Sequence, residues 1–207
     1  LESNPEIIEH WKYLTDSLIA DKNIKYIEKD IRNFLLTDKT IYDVILINLP
    51  APSTLACNRF YNDEFFKLIK KHCNAQSVIC TSLPSTQNYA GQNALNTNAS
   101  LSKTIAMNYN NQLLVPSERN WVLASDANLS IEITSLLQKR NIETNYVNKY
   151  YFDDDLLQQR ARQLIARFDN QVPVNRDFYP YMFFQQVNYW LNYMNIRYKI
   201  IIIVPAI

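Results

Sequence analysis

An unbroken apolar run, Val44 to Ile47, passes through Asn48 and Leu49 into Pro50-Ala-Pro-Ser-Thr54, and no other segment constrains the fold as tightly. Apolar residues without alternation read as a strand buried on both faces, from Tyr42 to Leu49, as in parallel sheets covered by helices. Two prolines then break the ladder, and a helix is expected from about Asn62. In open α/β sheets ligands sit just beyond the carboxyl ends of the strands, so this loop is where chemistry would be placed.

The segments around it alternate in type. Helical spacing of Ile7, Ile8, Trp11 and Leu14 predicts an N-terminal helix, and Ile24 to Ile27 reads as a short strand. Asp30 can cap a short helix through Leu36. An amphipathic helix is expected over 63–72 with Phe65, Phe66 and Ile69 inward, and a strand over 77–83. A helix over 98–109 precedes two short runs, 112–115 and 121–124, which read as an antiparallel pair at a sheet edge. Helices follow over 131–140 and 155–168, the latter with Leu156, Leu157, Leu164, Ile165 and Phe168 on one side. Strands alternating with helices predict an α/β fold: a mainly parallel sheet, helices on both faces, and the antiparallel pair at its edge.

Composition narrows the function classes. The 207 residues carry a net charge of +1, which gives no nucleic-acid footprint. Cys57, Cys73 and Cys80 form no CxxC pair, and the two histidines, His10 and His72, lie far apart, so no metal site is expected. Gly91 is the only glycine, where average usage supplies about fourteen. A nucleotide-binding α/β domain normally carries several glycines in its first strand-to-helix turn, and this chain has no such turn. It starts at Leu1 and closes on Ile200-Ile-Ile-Ile-Val-Pro-Ala-Ile207; both ends read as cut from a longer protein. The expected organisation is an α/β domain over 1–172 and, over 173–207, a junction, an aromatic helix and the start of a transmembrane segment. Aromatic residues from Phe178 to Tyr193, then Arg197 and Lys199, match the cytoplasmic flank of such a segment. The competing reading is a C-terminal helix packed on the domain.

Residues 42–61, with Arg119-Asn-Trp-Val-Leu-Ala-Ser-Asp126, Glu143-Thr-Asn-Tyr-Val-Asn-Lys-Tyr-Tyr151 and Val174-Asn-Arg-Asp-Phe178, resemble the spermidine synthase (polyamine aminopropyltransferase) family. The chain looks most like the aminopropyltransferase-like domain that some bacterial membrane proteins carry fused to transmembrane helices. The resemblance implies a Rossmann-like fold whose first strand and glycine loop lie upstream. It also implies transfer of an aminopropyl group from decarboxylated S-adenosylmethionine to putrescine, with release of methylthioadenosine. No tightly bound cofactor follows from it; decarboxylated S-adenosylmethionine or methylthioadenosine is the implied ligand. Placement at the cytoplasmic face of a bacterial inner membrane follows too, and a homodimer is compatible with it.

Four positions carry the implied site. Glu2 matches the acid that holds the ribose hydroxyls, a role suited to a carboxylate that accepts two hydrogen bonds; the alternative is a helix-start glutamate favoured by the helix dipole. Asp30 matches the residue that receives the adenine amino group, or is a plain N-cap. Asn48 and Ala51 stand where the family pattern Asp-x-x-Asp-Pro has its general-base acid and its polyamine-binding acid. Asn48 cannot hold a proton near neutral pH, and Ala51 offers neither charge nor hydrogen bond. Impaired transfer to a polyamine is therefore expected, and a non-catalytic nucleoside-binding or scaffold domain is the alternative.

Other candidates are weaker. Asp63 and Glu64 more simply favour the positive end of a helix. Asp153-Asp-Asp155 reads as a solvated helix start, and Ser82, Gln87 and Tyr89 either line the same cleft or form an ordinary loop. Ser53 and Cys57 lack a histidine in plausible reach for nucleophilic catalysis. Tyr150, Tyr151 and the tyrosines from Tyr179 to Tyr198 read as packing and interface residues rather than cofactor contacts. A methyltransferase, which shares the sheet and does not always need a carboxylate base, is a third reading.

Overall fold

The computed structural model describes residues 6, 7, 9, 10, 13, 25, 27–85, 91–148 and 150–194. Glu2, Gln87, Tyr89, most of the first predicted helix and strand, and the isoleucine run lie outside them. The chain divides into two compact units, 1–41 and 42–207.

In the first unit, helix α1 (Ile31–Thr37) starts at Asp30, whose Oδ1 accepts the Asn33 amide at 3.1 Å. That bond satisfies a donor the first helical turn leaves open. Leu35 is its buried residue.

The second unit is built on four strands: β1 (Tyr42–Ile47), β2 (Cys73–Pro84), β3 (Asn111–Pro116) and β4 (Arg119–Ser125), ordered β1-β2-β4-β3. β1 pairs parallel with β2, while β4 runs antiparallel to both β2 and β3. The predicted edge pair is therefore present. Its second strand lies between its first and the parallel pair, with a tight turn at Ser117 and Glu118 joining the two. Around the sheet lie α2 (Leu55–Asn58), α3 (Asp63–Lys70), α4 (Gln92–Ala106), α5 (Ile133–Lys139), α6 (Asp154–Ile165) and α7 (Tyr181–Tyr193).

Strand alternation sorts the sheet into two faces. Ile79, Thr81 and Leu83 of β2 pair across with Ala124, Val122 and Asn120 of β4, and all six are buried. α4 covers this face: Asn120 Nδ2 donates to Asn98 Oδ1 at 3.1 Å. α3 adds Phe65, Phe66 and Ile69, each at most 1% exposed, the inward stripe its spacing predicts. On the opposite face α6 seals the β3 end, where Val115, Ile131, Leu157 and Ala161 form a cluster flanked by Leu113, Trp121 and Leu123.

Two expectations are corrected. β1 is not buried on both faces, since Val44 is 58% and Leu46 73% exposed. Both share a face with Cys80 and Leu123, but α6 packs at the far end, against β3. On α6 the inward residues are Leu157, Ala161 and Leu164, whereas Leu156 and Ile165 are 40% and 52% exposed. The alanine lets the helix approach the sheet closely and rotates the stripe that leucines alone suggested.

The stretch Val174-Asn-Arg-Asp-Phe178 leads into α7, which packs on α4 with Met182 and Gln185 buried. Asn175, fully buried, fastens it. Its Nδ2 donates to Asn58 Oδ1 at 3.1 Å and Tyr61 O at 3.0 Å, its Oδ1 accepts from Met182 N at 3.1 Å, and its carbonyl accepts from Asp63 N at 3.0 Å. Its own amide donates to Thr104 Oγ1 at 2.9 Å. Among the described residues no helix is long and apolar enough to cross a membrane.

Candidate functional site

The carboxyl ends of β1 and β2 face the loop 48–54, as the strand-then-proline pattern predicts. Three constraints shape that loop. Ser53 N donates to Ala51 O at 2.7 Å, closing a three-residue turn on the buried Pro52. Thr54 Oγ1 accepts the Cys57 amide at 3.1 Å and caps α2. The Tyr61 hydroxyl reaches the carbonyls of Leu49 and Pro50 at 3.0 and 2.9 Å. Burial pushes the Tyr61 phenol up to about 12, with the nearby Arg119 charge and the Thr81 hydroxyl opposing that rise. A buried neutral phenol shares its single O–H between the two loop carbonyls and ties the loop to the core.

Asn48 follows Ile47, which pairs with Thr81, so the register carries Asn48 level with Ser82. Asn48 is exposed and Ala51 half-buried. The structure thus brings Asn48, Ala51 and Ser82 to one end of the sheet. Asp30 sits in the first unit as the cap of α1.

Sequence reasoning missed Arg119. Opening β4 opposite Pro84, it donates from Nε to Ser82 Oγ at 2.7 Å and from Nη2 to Ser82 O at 3.4 Å. Thirty-seven residues separate this pair in sequence, and only the register of β2 against β4 joins them.

The remaining candidates fall elsewhere. Asp63 is buried and held by Lys67 Nζ at 2.7 Å, Asn108 Nδ2 at 2.9 Å and Arg176 Nη1 at 3.5 Å. Burial pushes its carboxyl up, but these partners outweigh burial and hold it below the usual carboxylate range. Glu64 Oε2 accepts the Asp177 amide at 3.1 Å. Both acids are therefore structural anchors for the 174–178 stretch. Asp153 caps α6 through the Leu156 amide, and Asp154 accepts from Thr134 N, Thr134 Oγ1 and Ser135 N at the start of α5. His72 is buried at the amino end of β2, where its carbonyl accepts the Tyr42 amide. That is the end of the sheet opposite Ser53 and Cys57, so it cannot activate either.

No protein-family model matches the chain. Over 144 residues it is 24% identical to a polyamine aminopropyltransferase from Oceanobacillus iheyensis, covering 66% of this chain but 28% of that relative. Among solved structures, human methyltransferase-like protein 13, determined in complex with SAH, superposes with a TM-score of 0.53 at 12% identity over 75% of each chain. A probable spermidine synthase from Corynebacterium glutamicum gives a TM-score of 0.49 at 13% identity, covering 81% of this chain and 60% of that one. The chain is thus similar in sequence to an aminopropyltransferase over part of that relative's length, and its sheet and helices form a Rossmann-like α/β fold.

Proposed function

We propose that this domain binds an adenosine-derived ligand of the methylthioadenosine type and does not transfer an aminopropyl group to a dicationic polyamine. The observation that carries this reading is the loop after β1, which presents Asn48 and Ala51 and holds its Leu49 and Pro50 carbonyls on Tyr61. In aminopropyl transfer an amine nitrogen attacks the methylene carbon next to the sulfonium. The carbon–sulfur bond breaks, and methylthioadenosine leaves with the electron pair. The amine must shed a proton to a base, and an amide at position 48 cannot take it. An alanine at position 51 removes a counter-charge. Each charge-assisted contact is worth roughly 1.5–3 kcal/mol, so losing two weakens a diamine by about two to four orders of magnitude.

Two measurements on the full-length protein carrying this chain test the reading. Calorimetric titration with methylthioadenosine is expected to show micromolar binding, weakened at least fivefold by Asp30→Ser. Serine keeps the α1 cap and removes only the carboxylate. Aminopropyl transfer to putrescine is expected to be undetectable, and robust turnover with Asn48 and Ala51 intact would sink the loss of transfer.

A membrane-proximal C-terminal end belongs to the same proposal. Tyr189, Trp190 and Tyr193 are 38%, 48% and 75% exposed on α7, and aromatic belts favour the lipid–water interface. Flotation of the full-length protein with anionic vesicles is the expected result, and recovery in the unbound fraction would refute it.

A further inference from the structure

From the charges around the strand ends we infer that the acceptor side of this site takes a carboxylate-bearing ligand held by Arg119, and repels a diamine. The inference rests on the reading of loop 48–54 as the acceptor site, but not on which nucleoside binds beside it.

The charge census is one-sided. No aspartate or glutamate occurs between Asp43 and Asp63, or between Glu64 and Glu118. These two stretches contain the whole β1 loop, all of β2 and the segment after it. Asp43 lies at the amino end of β1, away from the site. Asp63 is already neutralised by Lys67 and Arg176. Glu64 is turned to the Asp177 amide, and Glu118 is exposed in the hairpin turn.

Two arginines, Arg59 after the β1 loop and Arg119 opening β4, differ in use. Arg59 stacks over the Phe60 ring at 5.1 Å. Arg119 lies on the face that carries Ser82, level with Asn48, and its field reaches the Tyr61 phenol. Ser82 engages Nε and Nη2. Among the described residues Nη1 donates to nothing and no carboxylate pairs with the guanidinium. Ser82 is itself buried, so the side chain is fixed in orientation with its outer edge left for a ligand. A guanidinium edge matches the two oxygens of a carboxylate. With Arg59 engaged on Phe60, a single guanidinium edge suits one negative charge better than a phosphate dianion.

Succinate and putrescine are four-carbon probes of opposite charge. Each is titrated calorimetrically into the full-length protein, with and without methylthioadenosine. Succinate is expected to bind at millimolar strength or tighter. Arg119→Gln should weaken it at least tenfold, and Arg119→Lys less. Ala51→Asp should weaken succinate and create a putrescine response. Since Ala51 sits in the loop, that variant carries the test even if Arg119→Gln fails to fold. Putrescine binding to the unaltered protein, no succinate binding, succinate binding indifferent to both substitutions, or inorganic phosphate displacing succinate would each overturn the inference. Succinate binding without methylthioadenosine binding would reject the nucleoside reading and leave this one standing. The reverse pattern would reject only this one.

Discussion

Asp63 shows how much a single buried carboxylate can organise. Its backbone amide holds Asn175, and its side chain gathers Lys67, Asn108 and Arg176. Because its folded pKa lies below the unfolded value of about 3.9, it adds stability above that pH and loses it as pH falls through the folded value. Asp63→Asn is therefore expected to cost about 1–3 kcal/mol at neutral pH and to flatten the acid limb of a denaturation-versus-pH series. An unchanged acid limb would remove Asp63 as its source. Tyr61 behaves in the opposite sense. Its raised value means stability is intact below about pH 10 and drains away as pH climbs toward about 12. Tyr61→Phe removes the one hydroxyl that ties the loop carbonyls to the core and should cost roughly 0.5–1.5 kcal/mol in urea melts, with faster amide exchange over 48–54. The loop was legible as a place for chemistry because a strand running into prolines marks a strand-end turn, whereas Asn48 and Ala51 were singled out within it only by the family resemblance. Arg119 was not, because nothing local ties it to Ser82.

At the level of elements, helices and strands that interact with their own neighbours were legible, and those set by distant partners were not. α3 followed its pattern because Phe65, Phe66 and Ile69 repeat at helical spacing. On α6 the buried stripe runs through Ala161, a residue too small to announce a core position. β1 looked doubly buried because an apolar run says nothing about whether a helix lies over it. The stretch 174–178 looked like a passive junction, yet Asn175 ties α2, α3, α4 and α7 together. Asn175→Ala is expected to cost about 3–5 kcal/mol, in the range of broken buried networks, and to raise amide exchange in α7 first. A cost below 1 kcal/mol would show that α7 is held by its apolar face alone. Substituting Asp154 by Ala should loosen the start of α5 by about 1–2 kcal/mol, read from exchange at Thr134 and Ser135.

The second unit keeps a Rossmann-like sheet, and the loop after its first strand carries no acidic residue. Asp63, Asn175 and Tyr61 hold the frame, while Asn48, Ala51 and Arg119 lie at the strand ends outside that clasp, so substitutions at the latter are expected to leave stability largely unchanged. The Asn175 clasp also fixes when the frame can close. Its bond to Asn58 spans 117 residues and the neighbouring bond from Phe183 to Asn58 spans 125, among the longest loops this chain can make. Long-range closures come late and slow folding. On the ribosome, the strands and α2–α4 emerge before residue 175, so a nascent chain exposes their unfastened helices until that residue follows. That interval is when a chaperone would be needed.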